Sequence, residues 1–173
     1  MLATLAEAET YLLQEVRNFA ALIASGPTSS WRYPSFHCLL LEHGRLFTPS
    51  PLPDDVDPMP AGTCYDSSLD VADGTDRIYV EGLGLNSPDF PLSTEHAWCA
   101  DPGGSLAIDP TWDPTGAAYL GLPLTPEFHV WLLDPAANRT NKALFGRHWY
   151  QIFQTGLPTD ALVPNVGRPV TDL

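Results

Sequence analysis

The stretch that most restricts how this chain can fold is Glu95-His96-Ala97-Trp98, followed by Asp101-Pro102-Gly103-Gly104 and then Leu106-Ala107-Ile108-Asp109-Pro110-Thr111-Trp112. It reads as a tight β-hairpin. Pro presets φ and Gly tolerates a positive φ, so Pro102-Gly103 supplies the turn. Centring the turn there sets Trp98 opposite Ala107 and His96 opposite Asp109. Directly opposed side chains have Cβ atoms about 4.5–5.5 Å apart, near enough for an imidazole to meet a carboxylate. Ala97, Cys99, Leu106 and Ile108 fall on the other face, an apolar set suited to a core. A slip of one residue would send His96 and Asp109 to opposite faces.

The rest of the composition narrows the class of protein. A chain of 173 residues is expected to form a single domain, 1–173, with a real core. The net charge of −13 argues against a nucleic-acid backbone as partner. The acids are scattered among prolines and apolar residues, which suits solubility rather than mimicry of DNA. Three widely spaced cysteines argue against a disulfide scaffold and for a reducing compartment. The first residues carry no basic segment, and Glu7, Glu9 and Glu15 interrupt the apolar run, so no secretory signal is expected. No stretch is long and apolar enough to span a bilayer. The expected location is the cytoplasm, with no membrane partner.

Taken in order, residues 3–24 read as an N-terminal helix. Leu5, Leu12, Val16, Phe19 and Ile23 form its apolar stripe, and Gly26-Pro27 ends it. A loop carries Trp31 and Tyr33. Residues 36–47 read as a strand pair or an extended segment with a turn at Glu42-His43-Gly44-Arg45. Residues 48–62 are a proline-rich linker expected to wrap the surface. Thr63, with Asp66 three residues later, resembles a capping box that opens a helix to about Asp73, stopped by Gly74. Residues 77–85 read as a strand with glycines near its end. Tyr119–Leu124 reads as a final short strand. From residue 125 to 173 the chain is helical or irregular: a helix opens at Pro126, Asp134-Pro135 breaks it, an amphipathic segment runs from Leu144 to Phe153, and a tail follows.

Cys64 falls in the first turn of the helix after Thr63. A thiol there meets the positive end of the helix and its free N–H groups, a setting that favours the thiolate form. His96 and Asp109 supply a base for such a nucleophile and an acceptor to fix the base's tautomer. The ordered set Cys64, the strand around Tyr79-Val80-Glu81-Gly82, His96-Ala97-Trp98 and Asp109-Pro110-Thr111 resembles the transglutaminase-like superfamily of papain-like folds. The resemblance covers about residues 60–112. It implies an α+β domain with a papain-like core at about 60–124, in which the nucleophile helix packs on an antiparallel sheet flanked by N- and C-terminal helices. It also implies acyl transfer through a Cys64 thioester, with His96 as base and then acid and Asp109 as orienter. The substrate would be a protein or peptide carrying a carboxamide or peptide carbonyl. Water or an amine as acceptor would make the enzyme a protease or amidase, a deamidase, or a transglutaminase. No cofactor and no metal are implied.

One departure from the family pattern is Cys64-Tyr65-Asp66, where many relatives have a Gly or an acidic residue after the cysteine. The alternative it leaves is an inactive transglutaminase-like module that acts by binding other proteins. The remaining site candidates are weighed singly. The Cys64 N–H is one expected oxyanion donor, and the second lies among Trp31, Tyr33 and a backbone N–H near Gly62. Glu81 lines a cleft or faces solvent. Trp98 shares the His96 face and would shield the ion pair from water. A zinc site built from Cys64, His96 and Cys99 is disfavoured because Cys99 points away from His96. His129 and His148 have no partner in the sequence pattern.

Overall fold

The computed structural model of the protein describes residues 2–133, 144 and 148–170. Within them it is an α+β structure, with five helices and a mostly antiparallel sheet. The first helix, α1 (Leu5–Ile23), starts at a complete capping box. The Thr4 hydroxyl accepts from the Glu7 N–H and the Glu7 carboxylate reaches back to the Thr4 N–H. A cap of this kind contributes about 1 kcal/mol. Leu12 and Val16 of the expected stripe are buried, with Ala8 and Leu13 beside them, whereas Phe19 is 46% exposed.

The segment read as extended contains instead a second helix, α2 (Phe36–His43), and then strand β1 (Arg45–Pro49). Ser35 accepts from the Cys38 N–H to open α2. Phe36, Leu39 and Leu40 then bury one face at helical spacing. A Cβ at Gly44 would lie 2.3 Å from the Leu40 carbonyl oxygen, so only glycine lets the chain leave the helix at that point. The proline-rich stretch that follows has no regular structure. It is held where the Met59 N–H donates to the Pro110 carbonyl, 2.7 Å, and where Arg77 binds Asp55.

Helix α3 (Cys64–Asp73) runs to Gly74 as expected, and strand β2 (Ile78–Leu85) follows. Strand β3 (Ser93–Ala100) pairs along its whole length with β2, not with the chain after the Pro-Gly turn. The turn itself forms, closed by Gly104 N–H to Asp101 C=O at 2.8 Å. The returning segment is then captured elsewhere: β4 (Leu106–Ala107) pairs in parallel with β1. Between β3 and the returning chain the backbone hydrogen bonds are those exchanged by Cys99 and Ile108, two residues out of step with the expected alignment. A slip of two keeps every side chain on its own face. Leu106 does not join the core and is 49% exposed.

Strand β5 (Ala118–Pro123) is central rather than final. The order across the sheet is β3-β2-β5-β1-β4, and β6 (Arg168–Pro169) also pairs with β1. The C-terminal stretch is therefore not a loose tail. Val166 is fully buried, and Arg168 forms an ion pair with the buried Glu9 of α1. Helix α4 (Pro126–Leu132) opens at Pro126, and α5 (Trp149–Thr155) occupies the end of the expected amphipathic segment. The Asp134-Pro135 break lies outside the described residues. No helix of the described residues is long and apolar enough to cross a membrane.

One face of the sheet, with Tyr79, Leu83, Ala97, Leu120 and Leu122, packs against α1, α2, α4 and α5. The other carries Phe47, Val80, Trp98 and Tyr119. Gly82 and Gly121 face each other across β2 and β5, and a Cβ on Gly82 would lie 2.2 Å from the Leu120 carbonyl oxygen. That neighbour is backbone and cannot step aside. Gly82→Ala is expected to destabilise the protein by about 3 kcal/mol. The urea midpoint measures the loss, and an unchanged midpoint would contradict this close approach.

Candidate functional site

Asp109 is completely buried, and its carboxylate is met from three directions. His96 Nε2 lies 2.7 Å from Oδ2. The Tyr119 hydroxyl donates to the same oxygen at 2.8 Å and itself accepts from the Gly116 N–H. Oδ1 accepts from the Thr111 N–H at 2.9 Å, the Thr111 hydroxyl at 3.0 Å and the Trp112 N–H at 3.3 Å. Asp109-Pro110-Thr111-Trp112 is thus an Asx-type turn, in which the aspartate binds the backbone two and three residues on.

His96 stands in β3 opposite Gly82 and is 2% exposed. The Trp112 indole stacks on its imidazole, with centroids 3.8 Å apart and planes 15° apart. Gly84 makes room for this pair. A Cβ there would lie 2.8 Å from the indole and 3.4 Å from the imidazole. Trp98 is farther from His96, at 6.3 Å, so the ring that covers the ion pair is Trp112 rather than the expected Trp98. Trp98 lies in the core, fully buried, with its indole N–H unpartnered among the described contacts.

Cys64 is the first residue of α3 and is 9% exposed. The capping box expected at Thr63 does not form. The Thr63 hydroxyl donates to Pro60 C=O at 2.6 Å and meets the Ser67 hydroxyl at 2.7 Å, and no side chain caps the helix. Burial disfavours charge on His96, but its hydrogen bonding and Coulombic interactions with Asp109 and Cys64 prevail and raise its pKa. Burial likewise opposes the Asp109 charge, yet His96, the Thr111 N–H and the Tyr119 hydroxyl together lower its pKa. Burial, followed by the Asp109 charge, pushes the Tyr119 phenol far up, so it serves as a donor. His96 and Asp109 thus form a buried hydrogen-bonded pair, and Cys64 is near enough to contribute, after Asp109, to the raised pKa of His96.

The other candidates stand apart from this group. Tyr33 is buried, with its hydroxyl 2.6 Å from His43 Nε2. Trp31 packs edge-on against Tyr150. Glu81 neither lines an open cleft nor faces solvent. It is 2% exposed and accepts from the Tyr79 hydroxyl at 3.1 Å and the Leu144 N–H at 3.0 Å. Cys99 sits on the opposite face to His96, gives its S–H to the Ser68 carbonyl, and burial pushes its thiol up to about 12. Among the described residues no three His, Cys, Asp or Glu side chains are grouped to hold a metal ion. His129 packs against Tyr79 and His148 stacks on Trp131.

Sequence reasoning missed Trp112, Thr111 and Tyr119. The first two follow Asp109 directly and are legible from the turn chemistry of Asp-Pro-Thr. Tyr119 carries no such signal, because its contact depends on where β5 lies.

The ion pair should leave its mark on stability. His96 has a raised pKa in the folded chain, so its contribution is complete below its ordinary 6.5 and fades as pH rises through the folded value. Asp109 has a lowered pKa, so its contribution is complete above its ordinary 3.8 and is lost as pH falls through the folded value. Both are therefore fully present between those two ordinary values. Asp109→Asn should cost about 3–5 kcal/mol by leaving His96 buried without its partner. It should also flatten the pH dependence on both sides, as read by urea unfolding across pH. A variant that keeps the wild-type pH profile would show that the pair does not govern it. Tyr119→Phe, which removes one hydroxyl, should cost about 1–3 kcal/mol.

No protein-family model, curated protein or solved structure matches this chain, and the chemistry of the site rests on its own geometry.

Proposed function

We propose that the protein is a thiol-dependent acyl-transfer enzyme with a transglutaminase-like, papain-like core. The observation that carries this reading is the buried His96–Asp109 pair, capped by Trp112 and linked to Cys64 at the open start of α3. A thiol, an imidazole and a carboxylate in that order form a nucleophile, a base and an orienter. Asp109 engages Nε2, which leaves Nδ1 as the ring nitrogen for the thiol.

In the first step the Cys64 sulfur attacks the carbonyl carbon of a carboxamide or peptide, and its proton passes to His96. The imidazolium forms beside Asp109, whose charge stabilises it. The carbonyl oxygen becomes an oxyanion, and the Cys64 N–H at the helix start is the donor best suited to receive it. His96 then returns its proton to the departing nitrogen as the C–N bond breaks, and a thioester remains. A water or an amine gives a proton to His96 and attacks the thioester, which releases the thiol. Burial of His96 and Asp109 keeps water off the ion pair, and Cys64 beside them is only 9% exposed.

Alkylation tests the reading. Iodoacetamide should modify Cys64 ahead of Cys38 and Cys99, as located by peptide mass spectrometry. His96→Gln should slow Cys64 modification at neutral pH by about tenfold or more, because the base is gone. Faster reaction at Cys38 or Cys99, or a His96→Gln variant with the wild-type profile, would sink the proposal.

A further inference from the structure

A cavity of about 530 Å³ opens on the helix-covered side of β2 and β3 and has no part in the bond-making steps above. Its volume suits a ligand larger than a single side chain. Trp31, Phe36, Trp149 and Phe153 supply aromatic walls, Leu83 supplies the floor, and Glu95 stands at the sheet side. Glu95 is the only carboxylate among the described lining residues, and no Lys or Arg is among them. Burial holds the pKa of the lining His37 below its ordinary value, so it adds no opposing charge at neutral pH.

The cavity adjoins the proposed site. Glu95 immediately precedes His96 on β3, and Tyr65 immediately follows Cys64 on α3. The two are close enough for Glu95 to contribute to the raised pKa of Tyr65, after burial, Glu81 and Cys64 itself. Glu95 and His96 lie on opposite faces of β3, so a substrate that engages both the thiol and the cavity passes around the edge of that strand.

We propose that this cavity binds a portion of the substrate that joins an aromatic or large apolar group to a cationic nitrogen. The inference rests on the acyl-transfer reading for the identity of the ligand as substrate. Three features favour a cation over an anion or a neutral group. The cavity has one carboxylate and no basic side chain, aromatic faces attract cations, and a chain of net charge −13 concentrates them nearby.

The test uses the full chain carrying Cys64→Ser, so that binding is read without reaction. Phenethylamine and 3-phenylpropionate, which share a phenyl group and differ in charge, are titrated while tryptophan fluorescence is followed. The amine should give a saturable change from Trp31 and Trp149 and bind more tightly than the acid. Glu95→Gln, an isosteric change at an exposed position, should weaken the amine by about fivefold and leave the acid unchanged or improved. Trp31→Ala should weaken the amine as well. In the wild-type protein the bound amine should slow iodoacetamide modification of Cys64. No saturable change, equal binding of acid and amine, or amine binding indifferent to Glu95→Gln would overturn the inference, even if Cys64 proves selectively reactive. Amine binding that leaves Cys64 modification unaffected would overturn the link to the thiol. Failure of the acyl-transfer reading itself is seen separately, in the His96→Gln alkylation profile.

Discussion

The structure depends on keeping one carboxylate, Asp109, charged in a place that water does not reach. Removing a carboxylate from water costs several kcal/mol unless its oxygens are fully engaged. Here a histidine from β3, a hydroxyl from β5 and three donors from the turn that follows Asp109 engage both oxygens. Those donors come from separate parts of the chain, so the carboxylate fixes β3, β5 and the 109–112 turn relative to one another. Gly84 of β2 follows from the same constraint, because it clears space for the stacked His96 and Trp112 rings. Gly121 of β5 lies against the Trp98 ring on the same face.

The two faces of the sheet divide the work. The face under α1, α2, α4 and α5 is apolar and supplies the main core. The other is aromatic and carries the ion pair. Helix α3 lies beside the edge strand β3, where Cys99 packs with Val56, Val71 and Ile108, so its first residue comes to the end of β3 that bears His96. An edge strand suits this arrangement, because a helix start can approach it from the side without breaking a ladder. The irregular connections are tied at chosen points. Arg77 holds Asp55 of the linker and Asp101 of the turn, and Arg168 holds Glu9. Buried or half-buried ion pairs of this kind specify position more than they add stability.

The site was legible in large part because strand parity survives errors of register. The returning chain after Pro102-Gly103 is drawn away to β1, and the bond at Cys99 and Ile108 is two residues out of step. An even slip leaves His96 and Asp109 on one face, so the pair forms although the hairpin does not. The Asp-Pro-Thr sequence was also informative beyond its resemblance, since an aspartate there binds its own following backbone. The segment 36–47 was not legible, because a short apolar run fits a buried helix or a strand equally well. The serine cap at Ser35 and the exit at Gly44 decide it. The part played by Trp112 was assigned to Trp98, since parity gives the face of a ring but not which ring reaches the imidazole.

By itself the sequence determined the local matters. These are the capped α1, the span of α3 with Cys64 at its start, the strands at β2 and β5, and the shared face of His96 and Asp109. Each depends on residues a few positions apart, where propensity, capping and alternation act directly. Only the tertiary structure decided that β5 lies at the centre of the sheet, that β3 pairs with β2, that the C-terminal stretch docks on β1, and that Tyr119 completes the shell of Asp109. Those outcomes depend on which distant segments compete for the same hydrogen bonds and the same apolar surface, and no local pattern records the result of that competition.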